Sequence, residues 1–166
     1  MHYGLMRVVA SKKFKRIIMK FQNYLVERNI PKIYFAHPRA FYDKPEEKKS
    51  IDMIMKQFPD HIIVNPNVDW IQGRVDDMGF DIFFKVINTV DFVVAMPFPD
   101  GKMGNGTWRE IEYADKKGKD IYVVRPQKNT LEITPKNKIQ WLTPEATFAR
   151  IPEKERIKWK MYEGVE

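Results

Sequence analysis

The residues best suited to chemistry stand in one stretch that follows a run of apolar residues. Gly104 and Gly106 permit a close approach of the backbone to a ligand, and Thr107 is expected to open a helix. Free N–H groups and the helix dipole at such a start favour an anion. With Asn105 between the glycines, the stretch predicts a phosphate or carboxylate site. A glycine-rich turn that only joins a strand to a helix would explain the same residues.

Glu110 admits two interpretations that the sequence leaves open. Thr107-Trp108-Arg109-Glu110 fits a capping box, in which a glutamate at the third helical position bonds back to the N-cap residue. The spacing favours this structural role. A carboxylate in the first turn of a helix at a strand end could instead face a ligand and act in catalysis.

A second candidate segment, His37-Pro38-Arg39, follows an earlier apolar run. Arg39 suits a bidentate contact with phosphate or carboxylate, or it is an exposed loop arginine. His37 suits a general acid or base, although a lone histidine is more often a polar loop residue. Tyr34 belongs to the apolar run itself and is expected in the core with its hydroxyl at the strand end.

Short apolar runs alternate with helical patterns along the chain and must position these residues. We predict strands at 32–36, 61–64, 91–96 and 120–124, and helices at 11–29, 45–58, 80–88 and 107–117, the last ended by Gly118. A polar loop is expected through Gln72 and Gly73, an edge strand at Ile139–Leu142 and a basic helix at 152–161. The alternation implies right-handed crossovers and an open parallel α/β sheet of four to five strands, with ligands at the carboxyl ends of the strands.

Composition narrows the functional classes. A chain of 166 residues with 43% hydrophobic residues suits one domain, spanning 1–166. No run reaches the roughly 18 apolar residues of a membrane span, and the N-terminus does not read as a secretory signal. No cysteine and three scattered histidines argue against a metal site and suit the cytoplasm. The net charge of +7 favours anionic partners, or serves solubility alone.

One motif carries a family resemblance. Gly106-Thr107, Glu110 and Tyr113-Ala114 form the pattern G-T-x-x-E-x-x-Y-A, and a glycine, a lysine and a strand follow it. With the two apolar runs before it, this arrangement resembles the nucleoside 2-deoxyribosyltransferase family, which includes 2′-deoxynucleoside 5′-monophosphate N-glycosidases and hydroxymethyl-CMP hydrolases. The resemblance covers roughly residues 32–126 and implies a three-layer flavodoxin-like or Rossmann-like fold.

The resemblance also implies a reaction. Glu110 would be the nucleophile that attacks the anomeric carbon of a nucleoside or nucleotide, and Tyr34 would orient it. The phosphate would lie between His37 and Arg39 on one side and residues 104–107 on the other. No metal and no bound cofactor would be needed.

The chain departs from the family pattern at two positions. Gly104 stands where many members carry Asp or Ser, and Phe83 stands where members carry Asp. Asp81 is two residues from Phe83, which rotates it about 200° around a helix. The acid that helps the base leave is therefore open among Asp81, Asp100 and His37, and we name Asp81 with Glu110 and Tyr34 as the candidate catalytic set.

Three functions follow in order. The first is an N-glycosidase or deoxyribosyltransferase acting on a small nucleotide or nucleoside, with hydrolysis of a phosphorylated nucleotide favoured. The second is an inactive nucleotide-binding module on the same fold, in which Glu110 is only a cap. The third, ranked last, is nucleic-acid binding through basic terminal helices. A homo-oligomer and no membrane partner are expected throughout.

Overall fold

Five strands form one sheet in the order β2-β1-β3-β4-β5. The computed structural model describes residues 30–153 and 156, and of residues 69, 70, 76 and 77 the backbone alone. The strands are β1 (Lys32–Ala36), β2 (Ile62–Val64), β3 (Phe92–Ala95), β4 (Ile121–Arg125) and β5 (Thr130–Ile133). The helices are α1 (Pro45–Gln57), α2 (Asp69–Met78), α3 (Asp81–Ile87), α4 (Asn105–Lys116) and α5 (Pro144–Phe148).

The sheet is mostly parallel, as the alternation of strands and helices predicts. β2, β1, β3 and β4 run parallel, with Tyr34 of β1 opposite Val64 on one side and Val93 on the other. β5 runs antiparallel to β4 after a tight turn in which Asn129 has a positive φ of 52°. The result is a mixed α/β sheet with one antiparallel edge.

Helices cover both faces of the sheet and make three layers. Successive residues of a strand point to opposite faces, so Tyr34 and Ala36 pack with α2, α3 and α4, and Ile33 and Phe35 pack with α1. All of these β1 side chains are fully buried. The predicted three-layer Rossmann-like α/β class is therefore confirmed.

Two predicted elements are wrong. The polar loop through Gln72 is the helix α2, whose fully buried Ile71 and partly buried Val75 and Met78 recur at helical spacing and pack on the core. The edge strand is β5 rather than Ile139–Leu142. The apolar signal of 139–142 comes from burial of Ile139 and Leu142 in an extended segment that makes a single bridge, between Trp141 and Met103.

The other predicted elements agree with the structure within one or two residues, and Gly118 ends α4 with a positive φ of 69°. The predicted helix at 11–29 lies outside the described residues. The predicted helix at 152–161 lies outside them for the most part.

Candidate active site

A cavity of about 640 Å³ opens where the strand order reverses. The chain leaves β1 toward one side of the sheet and leaves β3 toward the other, so the segments beyond these neighbouring strands diverge. The wall combines the turn after β1, the start of α4, the α2–α3 region and the C-terminal segment. It is lined by His37, Pro38, Arg39, Ala40, Tyr42, Val75, Gly79, Phe80, Phe83, Phe98, Gly104, Gly106, Thr107, Glu110, Thr147 and Ile151.

Glu110 is a buried carboxyl group in this wall. It lies in the second turn of α4 on the face that Thr107, Ile111 and Ala114 also turn to the core, and it is 6% exposed. The hydroxyl of Tyr34 in β1 donates a hydrogen bond of 2.9 Å to Glu110 Oε1. The structure thus brings together two of the three residues named as the candidate catalytic set.

The environment of Glu110 opposes its ionisation. Burial raises the pKa of Glu110 to about 8, and the hydrogen bond from Tyr34 and the charge of Arg109 offset that rise only in part. Burial and then the charge of Glu110 raise the pKa of Tyr34 well above its ordinary value. The Tyr34 hydroxyl therefore stays protonated and donates its hydrogen bond, whereas Glu110 gains or loses its proton at a pH of about 8.

The capping-box interpretation of Glu110 is wrong. α4 begins at Asn105 with Gly104 as its N-cap residue, two residues earlier than the sequence predicts. Thr107 is therefore the third helical residue rather than the cap. Because Glu110 lies a full turn into the helix, its side chain reaches Tyr34 across the sheet interface instead of the helix start.

The turn after β1 carries Arg39 to the cavity. Arg39 Nη2 donates to Gln72 Oε1 of α2 at 3.0 Å, and Gln72 Nε2 donates to the Pro66 carbonyl at 2.6 Å. Tyr42 of the same turn lines the cavity, and burial followed by the charge of Glu110 raises its pKa. A guanidinium and a protonated phenol therefore share this side of the cavity.

His37 belongs to the same wall, although its side chain is fully buried. Its Nδ1 is 3.0 Å from the Phe35 carbonyl oxygen, and its Nε2 is 3.1 Å from Glu47 Oε1. Phe35 also stacks on the imidazole ring. Both ring nitrogens are thus engaged inside the protein, so in this arrangement neither is turned to a ligand.

The C-terminal segment packs on the start of α4 and bonds to it. Gly104, Gly106 and Thr107 line the cavity, whereas the Asn105 amide donates to Thr147 Oγ1 at 2.9 Å and Asn105 is not part of the wall. A Cβ added at Gly104 would lie 3.2 Å from a ring carbon of Phe98 and 3.4 Å from Thr147. Glycine at 104 therefore permits the close approach of this segment.

Asp81 does not reach the cavity. It is the exposed first residue of α3, whereas the buried Phe83 of the same helix is part of the wall. Phe80 and Phe98 add further aromatic surface. Among the side chains that the structure describes, Glu110 is the one carboxyl group in the wall.

Sequence reasoning missed several residues of this site. The polar residues around Gln72 predict a loop instead of α2, and Thr147 comes from a segment without a clear pattern. Tyr42 had a usable signal, since it follows Arg39 by three residues in the same turn.

The described residues contain no group of three histidine, cysteine or acidic side chains that could hold a metal ion. No helix in the described part of the chain is long and apolar enough to cross a membrane. Comparisons with protein-family models, with curated proteins and with solved structures found no match. The fold and site therefore define a Rossmann-like α/β protein with a protonatable carboxyl group in an aromatic-walled cavity.

Proposed function

We propose that this protein cleaves the N-glycosidic bond of a nucleoside 5′-monophosphate or a nucleoside, with Glu110 as the nucleophile. The observation that carries the proposal is the buried Glu110 carboxyl, bonded by Tyr34 and open to a cavity at the switch point of the sheet. The cavity volume of about 640 Å³ is in the range of small-molecule sites.

The proposed reaction has two displacements at the anomeric carbon. The ionised carboxylate forms an ester bond to this carbon while the carbon–nitrogen bond breaks, and the electron pair leaves with the base, which takes a proton from water. Water then attacks the same carbon, loses a proton and frees the carboxylate. The Tyr34 hydroxyl holds Oε1, which leaves Oε2 as the attacking oxygen.

Electrostatics support a carboxylate at this place. Positive charge develops on the sugar in an oxocarbenium-like transition state, and a carboxylate in a dry cavity stabilises it more than one in water. With a pKa of about 8, the Glu110 carboxyl is protonated at neutral pH when no ligand is bound. Turnover should therefore rise with pH until Glu110 is ionised.

The anionic end of the substrate is proposed to lie near Arg39 and the start of α4. Arg39, Gly104 and Gly106 all line the cavity, and Gln72 orients the guanidinium. A guanidinium beside a helix start suits a phosphate. This arrangement supports a nucleotide over a free nucleoside.

A panel of ribo- and deoxyribonucleosides and their 5′-monophosphates tests the proposal. We expect release of free base from at least one monophosphate and slower release from its nucleoside, measured by chromatography. A supplied second base that enters product indicates transfer, whereas free sugar phosphate alone indicates hydrolysis. No base release from any member by the folded protein would contradict the proposal.

A nucleotide-binding module is the second candidate, and one observation favours it. Phe83 lines the cavity, and the described wall holds no carboxyl besides Glu110 to protonate a leaving base. Saturable binding of a monophosphate without base release would support this function.

We also propose a cell compartment and an oligomeric state for the protein. The absence of cysteine suits the cytoplasm. Trp141 is 49% exposed and stacks on Trp108, which offers an apolar surface to a second copy of the chain. Size-exclusion chromatography with light scattering tests the expected homo-oligomer, and a monomer at assay concentration would contradict it.

A further inference from the structure

Both ring nitrogens of His37 lie against oxygen atoms inside the protein. Nδ1 is 3.0 Å from the Phe35 carbonyl oxygen, and Nε2 is 3.1 Å from Glu47 Oε1. Glu47 therefore holds the imidazole ring from its Nε2 side.

Glu47 is surrounded by donors that keep it ionised. Besides His37, it accepts from Asn65 Nδ2 at 2.8 Å, from Asn67 Nδ2 at 3.2 and 3.3 Å, and from the Asp43 amide at 2.5 Å. Burial alone would raise the pKa of Glu47, yet these hydrogen bonds lower it to about 2. Four hydrogen-bond donors therefore stabilise the ionised form of Glu47.

Other side chains lie close to Glu47 and His37. Lys44 and Lys48, at the start of α1, share a shallow groove with Glu47 and Asp43. On the cavity side, Tyr42 packs on the His37 ring at 4.9 Å, and Arg39 belongs to the same turn.

Glu47 also bonds to the residues that flank one turn. His37 precedes the turn formed by residues 38–42, and Asp43 follows it, and both bond to the Glu47 carboxylate. Through Asn65 and Asn67 the same carboxylate connects this turn to the segment after β2. The turn that carries Arg39 and Tyr42 into the cavity is therefore clamped at both ends by one side chain.

We infer that Glu47 is a positioning residue of the cavity, which holds the His37 ring through its Nε2 and fixes the turn that presents Arg39 and Tyr42 to an anionic ligand. Only the identity of that ligand rests on the proposed function. The clamp itself is a property of the protein without ligand.

Nitrogen-15 backbone relaxation of the full-length protein and its variants tests the clamp. We expect the order parameters of residues 39–42 to fall from about 0.85 toward 0.6 in Glu47→Gln. Glu46→Gln, which changes the neighbouring carboxyl of α1 outside this network, should leave them unchanged. His37→Gln supplies a second variant, because it retains an uncharged donor to Glu47 and should loosen residues 39–42 less. Unchanged order in Glu47→Gln would overturn the inference, whatever the base-release panel gives.

Discussion

At the scale of single residues, the protonation of Glu110 matters most, because it affects both the stability of the fold and the proposed reaction. Its pKa of about 8 lies above the ordinary value of 4.5, so the folded protein binds a proton that the unfolded chain has released. The stability that this proton supplies is complete below about pH 4.5 and is lost as the pH rises through about 8. Glu110 therefore couples folding to the same ionisation that the proposed reaction needs.

This coupling predicts a pH-dependent stability. We expect Glu110 to lower the free energy of unfolding by on the order of 4 kcal/mol between about pH 5 and pH 9. Glu110→Gln should remove most of this slope, because glutamine fills the same space without ionising. Urea denaturation of both proteins across this range measures the difference. Parallel pH dependences in the two proteins would contradict the assigned pKa.

Tyr34 provides a second prediction at this scale. Its hydrogen bond favours the ionised form of Glu110, so Tyr34→Phe should raise the pKa of Glu110 further. The pH profile of kcat/KM for base release should move to higher pH, with about a tenfold loss near pH 7. Tyr122→Phe, a strand tyrosine on the opposite face of the sheet, is the control. A loss of activity without a shift of the profile would assign Tyr34 a structural role alone.

At the scale of elements, α2 is the helix that connects the cavity to the segment after β2. Gln72→Ala removes the bond that holds Arg39 to α2 and the bond to the Pro66 carbonyl. We expect about tenfold weaker binding of a nucleoside monophosphate, measured by calorimetry. Gln57→Ala, at the exposed end of α1, should bind normally. Equal affinities would show that Arg39 is placed without Gln72.

Alanine substitutions at Gly73 and Gly104 are expected to change the stability of the protein in opposite directions. A Cβ at Gly73 meets nothing within 4 Å inside α2, so Gly73→Ala should stabilise the protein by about 0.5–1 kcal/mol. A Cβ at Gly104 would lie 3.2 Å from a ring carbon of Phe98, so this ring would have to move, and Gly104→Ala should destabilise the protein by about 1 kcal/mol. Thermal unfolding of both variants tests the contrast. Stabilisation by Gly104→Ala would mean that the Phe98 ring moves aside at little cost in energy.

At the scale of the whole molecule, the alternation of apolar runs with helical patterns was enough to predict the parallel sheet and its helices. It could not predict the antiparallel β5, because the run Thr130–Ile133 is short and, of its two apolar residues, only Leu131 packs on the core, whereas Ile133 is exposed. Ile139 and Leu142 gave a false strand signal, since burial alone does not require pairing.

The candidate site was predictable in part for the same reason. Tyr34 in β1, Arg39 in the turn after β1 and Glu110 in the helix after β3 belong to neighbouring strand–helix units, and the sheet topology brings these units together. Glu47, Gln72 and Thr147 reach the site through side-chain contacts between distant segments, which no local pattern encodes.

The most direct test of the account compares base release by Glu110→Gln and Glu112→Gln with that by the unsubstituted protein, on the best monophosphate of the panel. Both substitutions change one carboxyl of α4, and only Glu110 lines the cavity. The account predicts at least about a 1,000-fold loss of kcat in Glu110→Gln and near-normal activity in Glu112→Gln. Undiminished base release by Glu110→Gln would contradict the role of Glu110 as the nucleophile.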